Sequence, residues 1–465
     1  MSAAWMASWN LAAVRPVIEG FLVIVLLLAF ALSRGSRDRD VHRRGARIEP
    51  GRAAQRRTAR LQLLRHKPPL TLAGIGIPAH DEVKHFKLIG TTGTGKSTAI
   101  RELLASALYR GDRAVITDPD GGYLARFHDP GRGDVILNPF DWRSARWDPF
   151  AEIRAPYDAE QLASSLVPST EDASGREWRG YARTFLAAVV RRCHEIGCHD
   201  VAGLWRLIAM APSAELRPIV AGTPAQPFLE PENARMFGSI RSVAGSAAAA
   251  LEHVQAQRAR AFSVRNWIDD GRGVLFLPYQ ASQIAALRTI IATWVRLAIF
   301  QALCDESTDR RLWLIVDELD ALGAIDGLKD ALARLRKFGG RCVLGFQSIS
   351  QVSSTYGGEA QTLVENCGNT LILRCSASEH GGTSQFASRL IGEREVARRS
   401  TSRGRDGGGL FDGRGWRRSM SVSEQRITEA AVLPSELEQL PDLTGYLKRA
   451  SSAVWLRVRL RRECH

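Results

Sequence analysis

The chain has 465 residues, 45% of them hydrophobic and 24% charged, with a formal net charge of +14. That length and apolar content exclude a disordered tail or a small disulfide-stapled module and leave room for two or three domains. The basic excess points to an acidic partner, nucleic acid or an anionic membrane surface; the competing reading is an Arg-rich composition that tracks a GC-rich genome.

Val17 to Leu32 reads VIEGFLVIVLLLAFAL, with Glu19 its only charge, and extended back to Leu11 it is long enough to cross a bilayer. Arg34, Arg37, Arg39, Arg43, Arg44 and Arg47 follow it, with no small-residue cleavage site between. A removed signal peptide carries its positive charge before the apolar core, so residues 1–33 read as a membrane anchor with the bulk of the chain cytoplasmic. Residues 34–76 read as a basic juxtamembrane linker. The seven cysteines, Cys193, Cys198, Cys304, Cys342, Cys367, Cys375 and Cys464, are scattered without a CxxC pair, as in a reduced compartment. Cys193-His194 and Cys198-His199 lack zinc-ligand spacing and read as core packing and helix surface.

From Asp81 onward short apolar runs alternate with helical patterns. Strands are expected at Phe86–Ile89, Ala114–Thr117, Val135–Leu137, Gly273–Leu277, Leu312–Val316, Cys342–Phe346 and Thr370–Arg374. Such runs are the mark of a parallel sheet buried on both faces, hence an α/β fold. Between residues 151 and 262 the strand signals give way to helical periodicity. The division expected is therefore a first part of a nucleotide-binding domain at 77–150, an inserted helical domain at 151–262, and the second part at 263–465. Residues 399–421, rich in Gly, Arg and Ser, read as a mobile loop.

Gly90-Thr91-Thr92-Gly93-Thr94-Gly95-Lys96-Ser97 matches G-x-x-x-x-G-K-[ST] between an apolar strand and a helix, where the match carries weight. Its backbone N–H groups can wrap phosphates at the positive end of the helix, and Gly90 through Thr98 are the expected nucleotide-binding residues. Lys96 suits the β- and γ-phosphates, and Ser97 a magnesium ion. Leu312–Val316 runs into Asp317-Glu318: Asp317 would hold the metal and its water, and Glu318 would orient or deprotonate the attacking water. Gln347 ends the next strand as a candidate γ-phosphate sensor, against a helix-capping alternative. Arg374 ends another, as a candidate finger toward a neighbouring subunit, against a surface ion pair. Lys329, Arg334 and Lys337, together with Arg336, are candidate contacts to DNA phosphates, against a solvated helix face.

At these motifs the chain resembles the TraD/TrwB-type coupling proteins of conjugative type IV secretion systems. The similarity runs through IPAHDEVKHFKLIGTTGTGKSTAIRELL, LNPFDWRSARWDPF, LWLIVDELDALGAIDGLKDALARLRKFGGRCVLGFQSISQV and SEQRITEAAVLPSELEQLPDLTGYLKRA, from about Ile77 to about Val458. The resemblance implies a RecA-like P-loop ATPase with a parallel central sheet, an inserted all-alpha domain and an N-terminal transmembrane helix. It implies a hexameric ring at the bacterial inner membrane, using ATP and Mg²⁺ to move DNA. It implies partners in a relaxase–DNA complex and in the inner-membrane channel. Family members usually have two membrane spans, whereas one is legible here. The alternatives are a chromosome-segregation motor, which would carry a further DNA-reading winged helix; a secretion-assembly ATPase that does not bind DNA; and a non-hydrolysing receptor, against which Lys96, Asp317 and Glu318 speak.

Overall fold

The computed structural model of the chain describes residues 41–64, 69–168, 173–304, 310–378, 382–406 and 417–461; the expected anchor at 1–33 lies outside them. The chain divides into a large unit, Ala46–Gly392 with Ala431–His465, and a small one, Met1–Gly45 with Glu393–Ala430.

The large unit is built on a ten-stranded sheet. In chain order its strands are β1 (Arg47–Pro50), β2 (Phe86–Ile89), β3 (Arg113–Pro119), β4 (Val135–Ile136), β5 (Val274–Tyr279), β6 (Leu312–Val316), β7 (Gly340–Phe346), β8 (Asn369–Ile372), β9 (Thr444–Lys448) and β10 (Val454–Arg459). Across the sheet they run β1-β10-β9-β8-β2-β7-β6-β3-β5-β4. From β8 to β4 all neighbours are parallel. β9 pairs antiparallel with β8 and with β10, and β1 lies parallel to β10.

Strands such as FKLI and LWLIV are buried along their whole length. Successive side chains point to opposite faces, so each strand feeds two cores. Phe86, Leu88, Ala114, Ile116, Trp313 and Ile315 pack on one face with Ile100, Leu103 and Leu104 of the helix Lys96–Tyr109. Ile89, Val115, Leu275, Leu314 and Val316 enter the other core, which continues into the helical segment.

Two expectations change here. The stretch 34–76 is not linker throughout. Arg47–Pro50 is a sheet strand, Arg52–Leu64 is a helix, and Thr71–Leu72 pairs with Ile75–Gly76. Leu70, Leu72, Ile75 and Ile77 are 2% exposed or less, which is why TLAGIGI folds into the core and cannot act as a spacer. Nor is 399–421 a loop throughout. In the small unit Glu393–Asp406 pairs antiparallel with Arg417–Ala430, and Val41–Gly45 adds a third strand. The composition concealed two strands of equal length in continuous register, held by backbone bonds that any side chain permits. Residues 407–416 lie outside the described residues.

The helical segment leaves and rejoins the sheet through a neck where Arg146–Trp147 pairs in parallel with Ala261–Phe262. Its helices include Asp158–Leu166, Ala173–Glu195, Val201–Ala209 and Ala234–Ala248. The Phe185 and Phe237 rings meet edge to face at 5.2 Å between two of them. Cys193 is buried, and the rings of His194 and His199 stack at 5.5 Å. Among the described residues one helix, Ile284–Ala302, is long and apolar enough to cross a membrane; it is mostly buried in this core.

Glu152 locks the neck. It is 1% exposed and accepts hydrogen bonds from Trp147 Nε1 (2.9 Å), Ser263 Oγ (3.1 Å), Val264 N (2.7 Å) and Arg265 N (3.1 Å). Glu152→Ala leaves those buried donors without an acceptor, so it should cost about 3 kcal/mol or more. A urea unfolding curve whose midpoint matches that of the wild type would contradict this role.

Candidate nucleotide site

β2 ends at Ile89, and residues 90–95 turn into the helix Lys96–Tyr109. Thr91 N donates to Arg374 O (2.9 Å) beside β8, and Gly90 N to Phe346 O (3.4 Å) at the end of β7. From the third side Leu443 N donates to Thr94 O (2.9 Å), and Leu460 N to Leu443 O (2.7 Å). Gly95 has φ of 117°, and a Cβ there would lie 2.8 Å from Leu443 Cδ2 and 2.9 Å from Leu460 Cδ1. The backbone conformation requires glycine at this point, and the two leucine methyls close over it.

Lys96 is 6% exposed, and its Nζ donates to the loop's own carbonyls at Gly90 (2.6 Å) and Thr91 (3.3 Å). Burial pulls its ammonium below the usual lysine range, opposed by Asp317 and Glu318. The loop thus holds the cation where a phosphate oxygen can replace a carbonyl as its partner.

The carboxylate pair ends β6, one strand removed from β2. Asp317 is 2% exposed, and its Oδ2 accepts from Ser97 Oγ (3.2 Å) and Tyr123 OH (2.7 Å). Its Oδ1 is buried with no hydrogen-bond partner among the described residues. Gly345 makes room for that oxygen, since a Cβ there would sit 2.7 Å from Oδ1. A buried carboxylate with one oxygen on a serine hydroxyl and the other unengaged is a donor set that suits magnesium, which takes oxygen ligands and keeps some of its waters. Ser97 and Asp317 therefore fit the metal role.

Glu318 has φ of 62°, a left-handed conformation unusual outside glycine, asparagine and aspartate. Its Oε1 accepts from Gln347 Nε2 (2.9 Å), and Gln347 Oε1 accepts from Thr92 Oγ1 (2.8 Å). Gln347 follows β7, the strand between β2 and β6, and so bridges the phosphate loop to the second acid. Burial, then the neighbouring Asp317, raises the Glu318 carboxyl above its ordinary range, the direction a proton acceptor needs.

Two residues escaped the sequence reading. Asp118, at 0% exposure near the end of β3, accepts from Tyr123 N (3.0 Å) and Leu124 N (2.6 Å). Burial pushes its carboxyl up to about 6. Tyr123 is buried, and burial followed by the charge of Asp317 pushes its hydroxyl well above the usual phenol range. The signal available was an apolar strand ending in an acid, because in parallel sheets ligands gather at the carboxyl ends of strands.

The side chains of the remaining candidates lie outside this hydrogen-bonded set. Arg374 lies beside its own phosphate loop, and its guanidinium pairs with Asp442 (2.8 Å). Lys329 pairs with Glu359 (2.6 Å). The helix carrying Lys329 ends at Arg334, and Lys337 belongs to the following 3-10 turn, Leu335–Phe338; Arg334, Arg336 and Lys337 are exposed.

A phosphate loop inside a parallel sheet, with two carboxylates one strand away and a glutamine between, defines a RecA-like P-loop nucleotide-binding fold. Residues 69–461 match the model of the type IV secretion-system coupling protein DNA-binding domain, and the chain belongs to that family. The coupling protein TraD of Escherichia coli (strain K12) is 30% identical over 388 residues, 81% of this chain. The chain spans about half, 52%, of that relative's length. The plasmid coupling protein TrwB, solved in complex with a non-hydrolysable ATP analogue, is 33% identical with a TM-score of 0.79; the match covers 92% of this chain and 96% of that one. TrwB in complex with ADP and Mg²⁺ matches with a TM-score of 0.78 at 33% identity over the same shares.

Two substitutions separate the roles in this site. Lys96→Ala should lower ATP turnover about 10²-fold or more by removing the charge placed for the phosphates. Glu318→Gln should keep ATP binding and slow hydrolysis by a similar factor. Wild-type turnover in purified Lys96→Ala protein would refute the assignment of the loop.

Proposed function

We propose that this chain is a membrane-anchored, ATP-hydrolysing DNA translocase. On this reading it couples a relaxase–DNA complex to a type IV secretion channel in conjugation. The observation that carries the reading is the hydrogen-bonded path Thr92–Gln347–Glu318, which ties the phosphate loop to the acid placed to activate water. Family membership and the complexes of TrwB with an ATP analogue and with ADP and Mg²⁺ support it.

Residues 90–98 bind the triphosphate through backbone N–H groups, and Lys96 leaves the loop carbonyls for the β- and γ-oxygens. Magnesium, when held by Ser97 and Asp317, supplies charge neutralisation across the phosphate oxygens. Glu318, held by Gln347, orients the attacking water and accepts its proton. Gln347 touches both the loop and the acid, so loss of the γ-phosphate can reach Glu318 through one side chain. The net charge of +14 and the exposed Arg334, Arg336 and Lys337 supply cations for a phosphate backbone.

A motor must follow any sequence, so DNA should be held by its phosphates and not by base edges. If about six phosphates or more are contacted, affinity should fall roughly 10³-fold or more between 50 and 200 mM salt. Arg334→Glu with Lys337→Glu should weaken DNA stimulation while sparing basal hydrolysis. A flat salt dependence, or binding confined to one sequence, would argue against translocation.

In a ring, Arg374 would leave Asp442 to stabilise the phosphoryl group in a neighbouring subunit, a contribution worth about 10³–10⁵ in rate. Arg374→Ala and Lys96→Ala proteins should each be inactive, and mixing them should restore part of the DNA-stimulated activity. Full activity of Arg374→Ala alone would reduce the arginine to its ion pair with Asp442.

A further inference from the structure

We infer that Tyr123 is a positioning residue that fixes the orientation of Asp317, and thereby sets how strongly magnesium tightens nucleotide binding. The inference rests on the reading of the site as a nucleotide site. Its basis is the unequal treatment of the two oxygens of one buried carboxylate. Oδ2 of Asp317 accepts from Tyr123 OH (2.7 Å) and Ser97 Oγ (3.2 Å), donors that come from different elements. Oδ1 has no partner among the described residues and faces the side-chain-free backbone of Gly345. A carboxylate can turn about its Cβ–Cγ bond, and that torsion has a broad preference. Two donors on Oδ2 suppress the turn and fix which oxygen faces Ser97, the other candidate metal ligand, and which faces Gly345. Ser97 alone cannot do this, because its hydroxyl is also the metal ligand. The tyrosine hydroxyl lies beside both Asp317 and Ser97.

The chain delivers this hydroxyl with care. Asp120 at φ of 60° and Gly121 at φ of 71° bend the segment after β3 sharply. The carboxylate of Asp118 then accepts the N–H groups of Tyr123 (3.0 Å) and Leu124 (2.6 Å), fixing the start of the short helix Gly122–Phe127. The Tyr123 ring lies against the guanidinium of Arg101, 5.9 Å from its centroid, on the helix that begins with Lys96. Tyr123 therefore touches both the carboxylate strand and the phosphate-loop helix, and it is 2% exposed.

The test uses the purified full chain and a fluorescent ADP analogue, titrated in EDTA and at increasing MgCl₂. Tyr123→Phe keeps the ring and removes one oxygen. Its affinity for the analogue in EDTA should stay within about two-fold of wild type, which also reports a folded site. The tightening produced by Mg²⁺ should shrink about 10-fold, the lower range for a hydrogen bond to a charged group. Tyr123→Met, which also loses the ring, should lose the same Mg²⁺-dependent tightening. If Tyr123→Phe tightens with Mg²⁺ as wild type does, the positioning role is overturned; if only Tyr123→Met loses the effect, the ring and not the hydroxyl matters, and the inference is equally overturned. If the wild-type chain binds no analogue in either condition, the nucleotide-site reading fails, and this inference fails with it.

Discussion

Everything at the site depends on one strand being interposed. β7 lies between β2, which delivers the phosphate loop, and β6, which delivers Asp317 and Glu318. Neighbouring strands are about 4.8 Å apart, so the loop and the acids start roughly 10 Å apart at the sheet edge. That width admits a phosphate chain and a metal, yet side chains still close it: Ser97 reaches Asp317, and Thr92 reaches Glu318 through Gln347. Were β2 and β6 direct neighbours, the acids would crowd the phosphates, and Gln347 would have no place between them.

The two ends of the sheet are treated differently. At the amino ends of the strands a buried ionic network ties the elements together. Arg110 binds Glu82 (2.7 Å) and Asp112 (2.5 Å), Arg341 binds Glu82 (3.1 Å), and Trp313 Nε1 donates to Asp112 (3.0 Å). Lys87 adds a buried ammonium bound to the carbonyls of Val364 (2.8 Å) and Cys367 (2.5 Å). Removing one member of such a set leaves an uncompensated buried charge, so this end holds fixed positions. Asp112 Oδ1 in that network has no hydrogen bond, as Asp317 Oδ1 has none at the carboxyl ends, but only the carboxyl ends add a carboxylate in an unusual backbone conformation, Glu318, beside the phosphate loop. A rigid end and a chemically open end belong to the same strands.

The sequence was most legible where physics leaves few alternatives. Only a strand-to-helix turn uses GTTGTGKS in that way, and LWLIVDE combines a buried parallel strand with two acids that nothing in a core would tolerate. Gln347 followed once the strands were counted. Tyr123 and Asp118 stayed hidden because their chemistry comes from contacts made in the fold: a tyrosine five residues after a strand-end acid looks like any turn. β1 was missed because RIEP is short and charged and earns its place by pairing with β10. The hairpin at 393–430 was missed for the opposite reason, since Gly, Ser and Arg suggested solvent while the backbone ladder was indifferent to them.

The clamp on Gly95 bears on how the protein is made. The phosphate loop leaves the ribosome early, but Leu443 and Leu460, which press on it, are synthesised after the helical segment and most of the sheet. A nascent chain that has reached only the carboxylate strand already carries Lys96, Ser97, Asp317 and Glu318, yet its loop lacks all three of its walls, at Phe346, Arg374 and Leu443. Thr94 O then has no Leu443 N–H to accept. Translation order therefore keeps an incomplete chain from presenting a finished nucleotide site while it is still being threaded and folded.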